Sequence, residues 1–338
     1  MLSYSFSIAV CTHNPLSDLL ERLLNSISKL KYIDEVLEIL IIDNNSSLQL
    51  TEIPIVQDFL ANHPNADLVQ ESKAGLKWAR IRAINNTNSN LLVFFDDDNE
   101  PQNNYLEILD KYFVNYPNVG VWGPGHVEVI YTDSVNFWLQ KHPELFQHRR
   151  EDFGYSCLPS TWNSYCPNGT GFCVRRKVLE RYAEQVNSGK LTVTGRIGKS
   201  LSSAEDVQIV WEGFKLGFAA GLIPELSCNH LIPSFKANIS YLKKQTFGAA
   251  ASYLPALIQS YPDCKEAVYA LNDNDALILI KGIIKAFLIW LDILQIFDVR
   301  TASLRLANSL GSTYSKLKAI DSNYASLVLN FSKLLNMI

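Results

Sequence analysis

The first hundred residues alternate between two hydrophobic rhythms. FSIAVCT, residues 6–12, is continuously apolar and rich in β-branched side chains, the pattern of a strand buried on both faces. Asn14-Pro15 breaks it. Leu16, Leu19, Leu20, Leu23, Leu24 and Ile27 then recur at helical spacing, with Asp18 and Glu21 placed as a capping pair. VLEILIIDNNSS, 36–47, predicts a second strand that ends in polar turn residues. A less regular stretch follows. GLKWARIRAINN, 75–86, predicts a helix, and LLVFFDDD, 91–98, a third strand. This alternation predicts a mostly parallel sheet flanked by helices.

Beyond residue 120 the rhythm changes. VGVWGPGHVEVIY predicts strands broken by Gly/Pro turns, and CPNGTGFCVRRKVLERYAEQV a turn, a short strand and a helix. SSAEDVQIVWEGFKLGF predicts a polar loop feeding an amphipathic helix, and AAGLIPELSCNHLIP a strand with a proline stop. From about residue 235 onward the chain is mainly helical in pattern, with no internal repeat and no low-complexity linker.

Composition narrows the classes. The 338 residues are 47% hydrophobic, enough for one large domain or two modest ones. Charged residues are 19% and the net charge is −4, without the basic bias of a nucleic-acid binder, so no nucleic-acid partner is expected. Phosphate-bearing ligands stay open, because a metal ion can supply positive charge locally. Six cysteines without a CxxC pair are expected to be reduced thiols, which suits a cytoplasmic location. The start MLSYSFSIAV has no basic region followed by a long apolar core, so no signal peptide is expected.

The candidate chemistry lies where strands end. Ligands of open parallel sheets bind outside the carboxyl ends of the strands. Three such ends are polar here: Thr12-His13-Asn14, Asp43-Asn44-Asn45 and Asp96-Asp97-Asp98. Three adjacent carboxylates repel one another, and Mg²⁺ or Mn²⁺ would remove that penalty; a solvated acidic turn has the same sequence. Glu205 and Asp206 open a predicted helix, where they match its dipole or serve as a general base.

SIAVCTHNP, IIDNNSS, KAGLKWARIRA, VFFDDDNEP, NGTGFCVRRKVLE and SSAEDVQIVWEGFKLGF stand in the order seen in family 2 glycosyltransferases of the GT-A fold. Over roughly residues 5–235 the chain resembles that family. The resemblance implies a GT-A domain over 1–235, with a nucleotide-binding half (1–100) and an acceptor-binding half (101–235), and a helical extension over 236–338. It implies inverting transfer from a nucleotide-diphosphate sugar to a hydroxyl of a glycan, polysaccharide or lipid-linked acceptor, as in cell-envelope synthesis. Thr12, His13, Asn14 and Asp43 match nucleotide contacts, and Lys73 and Arg80 the basic positions near the nucleotide or its phosphates. Asp96, Asp97 and Asp98 match the metal and ribose motif, with Asp98 as direct metal ligand. Asp206 matches the catalytic base, with Glu205 beside it. His230 stands where some GT-A enzymes place a further metal ligand; a hydrogen-bonded structural histidine is the other reading.

The match has departures. His13 replaces the common tyrosine, and Ile81 and Ala83 stand where the helix segment usually carries Asn and Gly. A catalytically inactive sugar- or partner-binding module is the alternative reading. Other enzyme classes fail on spacing. GRIGKS lacks the first P-loop glycine, since Val193 holds its place, and Glu100 stands where an aspartate-nucleophile phosphatase needs Thr.

The helical extension contains ALILIKGIIKAFLIWLDILQIF, 276–297, interrupted by Lys281, Lys285 and Asp292. At about 100° per residue these three fall within about 40°, with Gln295 adjacent. Each charge would cost roughly 2.5–3.5 kcal/mol inside a membrane span. A narrow polar stripe fits burial against other helices, a homodimer contact, or peripheral contact with the inner face of a membrane.

Overall fold

A computed structural model describes residues 1–198, 201–266, 274–296 and 298–338. The chain divides into two compact units, one of residues 1–188 and 209–234 and the other of residues 189–208 and 235–338.

The first unit is built on a ten-stranded sheet. Its elements run β1 (Phe6–Thr12), α1 (Ser17–Ser28), β2 (Glu38–Asp43), α2 (Pro54–Asn62), β3 (Ala66–Gln70), α3 (Leu76–Asn85), β4 (Leu91–Asp96), β5 (Asn99–Pro101) and α4 (Tyr105–Asn115). They continue with β6 (Val119–Tyr131), α5 (Phe137–Gln140), β7 (Arg149–Arg150), β8 (Gly154–Ser156), β9 (Cys173–Arg175), α6 (Arg176–Asn187), α7 (Glu205–Lys215) and β10 (Ala219–Ile232). The strand order is β3-β2-β1-β4-β9-β6-β10-β5, with β7 on β6 and β8 on β10. β3, β2, β1 and β4 are parallel, as are β6 and β10, and antiparallel β9 joins the two sets.

Every residue of β1 is buried, so its unbroken apolar run makes the centre of the sheet. Phe6, Ile8, Val10, Ile39, Ile41, Leu91, Val93 and Phe95 share one core with Leu20, Leu23, Leu24 and Ile27 of α1.

Three local expectations change, and one helix had no reading in the sequence. α1 has Leu16 as its N-cap, with no side-chain capping bond; Asp18 lies inside the first turn, where only the helix dipole favours it. The irregular stretch after residue 47 holds α2, with Pro54 at its start, and β3. β3 buries only Val69 fully, which is why its apolar signal is weak. The segment 105–115 forms α4, whose Tyr105, Leu106, Leu109, Tyr112 and Phe113 are buried. Gly123-Pro124-Gly125 does not break its segment: β6 runs through it as one strand of 13 residues. The pairing with β10 absorbs the irregularity as a register shift between Ile223 and Ser227.

In the second unit α8 (Ile239–Ser260), α9 (Asp275–Ile296), α10 (Val299–Ala319) and α11 (Tyr324–Leu334) pack around Phe247, Ile278, Ala307, Leu310, Leu317, Val328 and Met337. Two glycines set the spacing. A Cβ on Gly282 of α9 would lie 2.7 Å from Thr313 Cγ2, and one on Gly311 of α10 would lie 2.6 Å from the Phe247 carbonyl oxygen of α8. α8 and α10 are capped by Asn238 and Asp298, whose side chains accept backbone N–H bonds, a contribution of about 1 kcal/mol each. Among the described residues no helix is long and apolar enough to cross a membrane.

Candidate active site

Parallel pairing brings the three polar strand ends to one edge. Thr12 stands opposite Asp43, and Cys11 opposite Asp96. The Thr12 hydroxyl donates to the Asp97 carboxylate. His13 Nδ1 lies 2.9 Å from the Asn44 carbonyl, which can only accept, so Nδ1 carries a proton. Asn14, at φ 51°, accepts the Ser47 N–H at 2.7 Å, and Asp43 accepts the Ser46 N–H at 3.0 Å. Asn44 organises the neighbouring loop: its amide donates to the Glu71 and Lys73 carbonyls at 3.2 and 2.8 Å and accepts the Gly75 N–H at 2.7 Å. Asn44 belongs to a strand end that the sequence marked as polar, but its own work, holding backbone, was not read there.

That loop delivers two lysines to the start of α3. Lys73 Nζ stands 3.1 Å from the centroid of the Trp78 ring and Lys77 Nζ 4.8 Å from it. Burial and the neighbouring Lys73 charge push the Lys77 ammonium below its ordinary value. Arg80 is 1% exposed, its guanidinium 4.9 Å from the Phe172 ring and 5.7 Å from that of Phe94.

The aspartate run itself turns back on the sheet. After Asp96 the chain turns through Asp97 and Asp98 into β5, which pairs antiparallel with β10 and sets Asn99 opposite His230. Asp98 is 3% exposed, accepts the Asn99 amide at 3.0 Å, and offers its carbonyl to the Leu231 N–H at 2.8 Å. His230 Nε2 lies 3.5 Å from Asp98 Oδ2, while Nδ1 donates to the Phe146 carbonyl at 2.8 Å. The carbonyl fixes the tautomer, so in a neutral ring the Nε2 lone pair faces the carboxylate. Asp98 and His230 are thus the two residues of this edge that could hold a divalent cation. Among the described residues no group of three or more His, Cys, Asp or Glu is placed to hold a metal ion.

The register of β5 on β10 is braced by Glu100, which accepts from Arg22 at 2.9 Å and from Asn229 at 2.8 Å. Burial pushes the Glu100 carboxyl up, but Arg22 and Asn229 outweigh it and hold it below its ordinary value. The Cys228 thiol is pushed up to about 12 by burial, with Asp98, Glu100 and Asp96 acting in the same direction. It is therefore a silent thiol that registers the negative field of the strand ends.

The segment 146–149 follows the same edge. Phe146 holds His230, and Gln147 accepts from the Thr170 hydroxyl at 2.8 Å. Burial pushes the Arg149 guanidinium down to about 10, and its Nε and Nη2 have no hydrogen-bond partner. Composition gave no reason to single it out.

Glu205 and Asp206 occupy the first turn of α7, as expected. The division between the units falls within this helix, after Gln208. Ala204, whose carbonyl accepts the Gln208 N–H, holds φ 98°, a strained backbone for an alanine. Glu205 is buried against Gly195, whose φ of +71° favours glycine and where a Cβ would lie 2.8 Å from Glu205 Oε2. Asp206 is partly exposed, and its Oδ1 lies 2.9 Å from the Val207 N–H. Within the second unit Thr192, Ser202, Lys244, Gln259, Tyr314 and Lys318 are among the residues lining a cavity of about 400 Å³.

Comparison with solved structures reveals the same architecture. The chain is similar to GalNAc-T7 with UDP, GalNAc and Mn²⁺ at 13% identity and a TM-score of 0.51, over 72% of this chain and 48% of that one. It thus spans about half the length of that relative. It is also similar to the mannosyltransferase PcManGT from Pyrobaculum calidifontis, in complex with GDP-Man and Mn²⁺, at 15% identity and a TM-score of 0.50, over 99% of this chain and 81% of that one. At these identities the likeness shows the fold, which is GT-A. No curated protein matches. The model of Glycosyl transferase family 2 matches residues 7–183, more than half of the 338, and the chain belongs to that family.

Proposed function

We propose that this glycosyltransferase binds a nucleotide-diphosphate sugar along the carboxyl ends of β1, β2 and β4 and transfers the sugar, with inversion, to a hydroxyl of a glycan or lipid-linked acceptor. The observation that carries the donor half is the Asp98–His230 contact, two metal-competent donors facing each other with the imidazole tautomer fixed from behind. Asp98 and His230 would hold Mg²⁺ or Mn²⁺, whose charge would neutralise the diphosphate leaving group. The UDP and GDP-Man of the two similar structures support the donor class without choosing a base.

The chain's own residues then divide the work. Thr12, His13, Asn14 and Asp43 hold the nucleoside, Asp43 as acceptor for base N–H groups. Asp96 and Asp97 face the ribose, Asp97 oriented by Thr12. Lys73, joined by Lys77 and Arg149, supplies positive charge for the phosphates, and Arg80 supports this face from within the core. Asp206 takes the acceptor proton as its oxygen attacks the anomeric carbon opposite the leaving group; one in-line displacement inverts the centre. Glu205 shapes the acceptor side. Residues 1–235 form the catalytic domain in this reading, and 236–338 a helical extension.

A panel of UDP, GDP and dTDP sugars, scored by thermal shift and by slow nucleotide release with and without Mn²⁺, tests this. A metal-dependent shift and release with at least one donor is expected. Neither effect with any donor would overturn the reading in favour of an inactive binding module.

A further inference from the structure

The outer face of α9 is apolar and uncovered. Ile280, Ile283, Ile284, Phe287, Leu288 and Trp290 are each 50–58% exposed. At about 100° per residue they span an arc of about 160°, while Ile278 and Ile289, on the opposite side, are buried. Phe287 and Trp290 stack with centroids 5.9 Å apart. On α11, Leu327 and Phe331 are 56% and 49% exposed. A contiguous apolar surface of this kind marks an interaction site rather than ordinary surface scatter.

Charge chooses the partner. Lys281 and Lys285 are exposed at one margin of the arc; the side chains of Asp292 and Gln295, expected in the same stripe, lie outside the described residues. Residues 189–208 and 235–338 carry 14 Lys and Arg against 9 Asp and Glu, a net of +5. The rest of the chain carries 16 against 25, a net of −9. A second copy meeting this face would set one +5 unit against another, whereas an anionic lipid surface attracts it.

We infer that α9 lies flat on an anionic membrane surface, with Phe287 and Trp290 in the acyl boundary and Lys281 and Lys285 at the headgroup phosphates. Two lysines in its first three turns fit a helix lying in the interface. This inference stands independently of the donor chemistry proposed above.

Flotation of the full chain with phosphatidylcholine vesicles, with and without about 30 mol % phosphatidylglycerol, tests it. Binding to the anionic vesicles should exceed binding to neutral ones by at least about tenfold and fall at high salt. Phe287→Glu with Trp290→Glu, and separately Lys281→Glu with Lys285→Glu, should each lower it by at least about tenfold. Unchanged melting temperatures would show both variants to be folded, and the exposed lysine pair keeps the test informative if the aromatic pair fails to fold. Wild-type protein left wholly in the soluble fraction with anionic vesicles overturns the inference. So does a dimer that the aromatic variant converts to monomer without any lipid binding, since a second copy then covers the face.

Discussion

The edge of the sheet and the outer face of α9 break the same rule in opposite directions. At the edge, Thr12, Asp43, Asn44, Asp98 and Asn99 are at most 5% exposed, polar groups kept from water by a web of short hydrogen bonds. On α9, six large apolar side chains are at least half exposed. Buried polar groups and broad exposed apolar surface are the informative departures from an oily inside and a polar outside. The first unit concentrates negative charge at this edge; the second combines net positive charge with an oily face. The difference teaches that the two regions are built for surroundings of opposite character, so substitutions in them should fail in different assays.

The largest effect is expected at Asp206. Asp206→Asn keeps the shape and removes the base, so transfer should fall by roughly 10²–10⁴-fold. Donor affinity measured by calorimetry should change by less than about threefold, because the donor groups at the sheet edge are untouched. Normal turnover by this variant would remove Asp206 from the mechanism. Next comes Asp98→Asn, which leaves one charged donor fewer beside His230. Donor affinity with Mn²⁺ should fall by at least about 100-fold while affinity without metal hardly moves. Equal losses with and without metal would mean that Asp98 holds the loop and not an ion.

Much of this was legible in the sequence. β1, β2 and β4 announce themselves because interior parallel strands bury both faces and read as unbroken apolar runs. Once they are parallel, register alone brings Thr12, Asp43 and Asp96 to one edge. What escaped depends on contacts far apart along the chain. The partnership of Asp98 with His230 exists because three residues of β5 turn back onto β10, and nothing in DDDNEP specifies that pairing. The packing of Arg80 between the Phe94 and Phe172 rings is likewise a contact that GLKWARIRA alone does not specify. The exposed face of α9 was hidden by its own hydrophobicity, since a greasy helix has one composition whether its faces are covered or bare.

A middle-sized effect follows from Asn44, which has no place in the chemistry. Asn44→Ala removes three hydrogen bonds and leaves the buried Gly75 N–H without its acceptor. The expected loss is about 1–3 kcal/mol, a few degrees in melting temperature for a chain of this size. Because the loop it holds carries Lys73, donor affinity should weaken as well. An unchanged melting temperature would show the loop to be held by other contacts.

The smallest effect concerns the brace behind Asp98 and His230, and its sign depends on pH. Glu100 sits below its ordinary carboxyl value of 4.5 because Arg22 and Asn229 together outweigh the penalty of burial. A carboxylate depressed in the fold contributes stability that is complete above its unfolded value and disappears as pH falls through the folded one. The Arg22 side chain is 39% exposed, so solvent screens the pair and its worth is about 0.2–1 kcal/mol. Arg22→Met should therefore lower the melting temperature by about one to three degrees near pH 7. That difference should close below about pH 4.5, where wild-type Glu100 takes up its own proton and the guanidinium loses its partner. Asn229 still holds the Glu100 carboxylate in the variant, so β5 should keep its register and donor affinity should stay within about twofold. A melting difference that persisted undiminished to pH 3 would assign the loss to the packing of the Arg22 stem rather than to the ion pair.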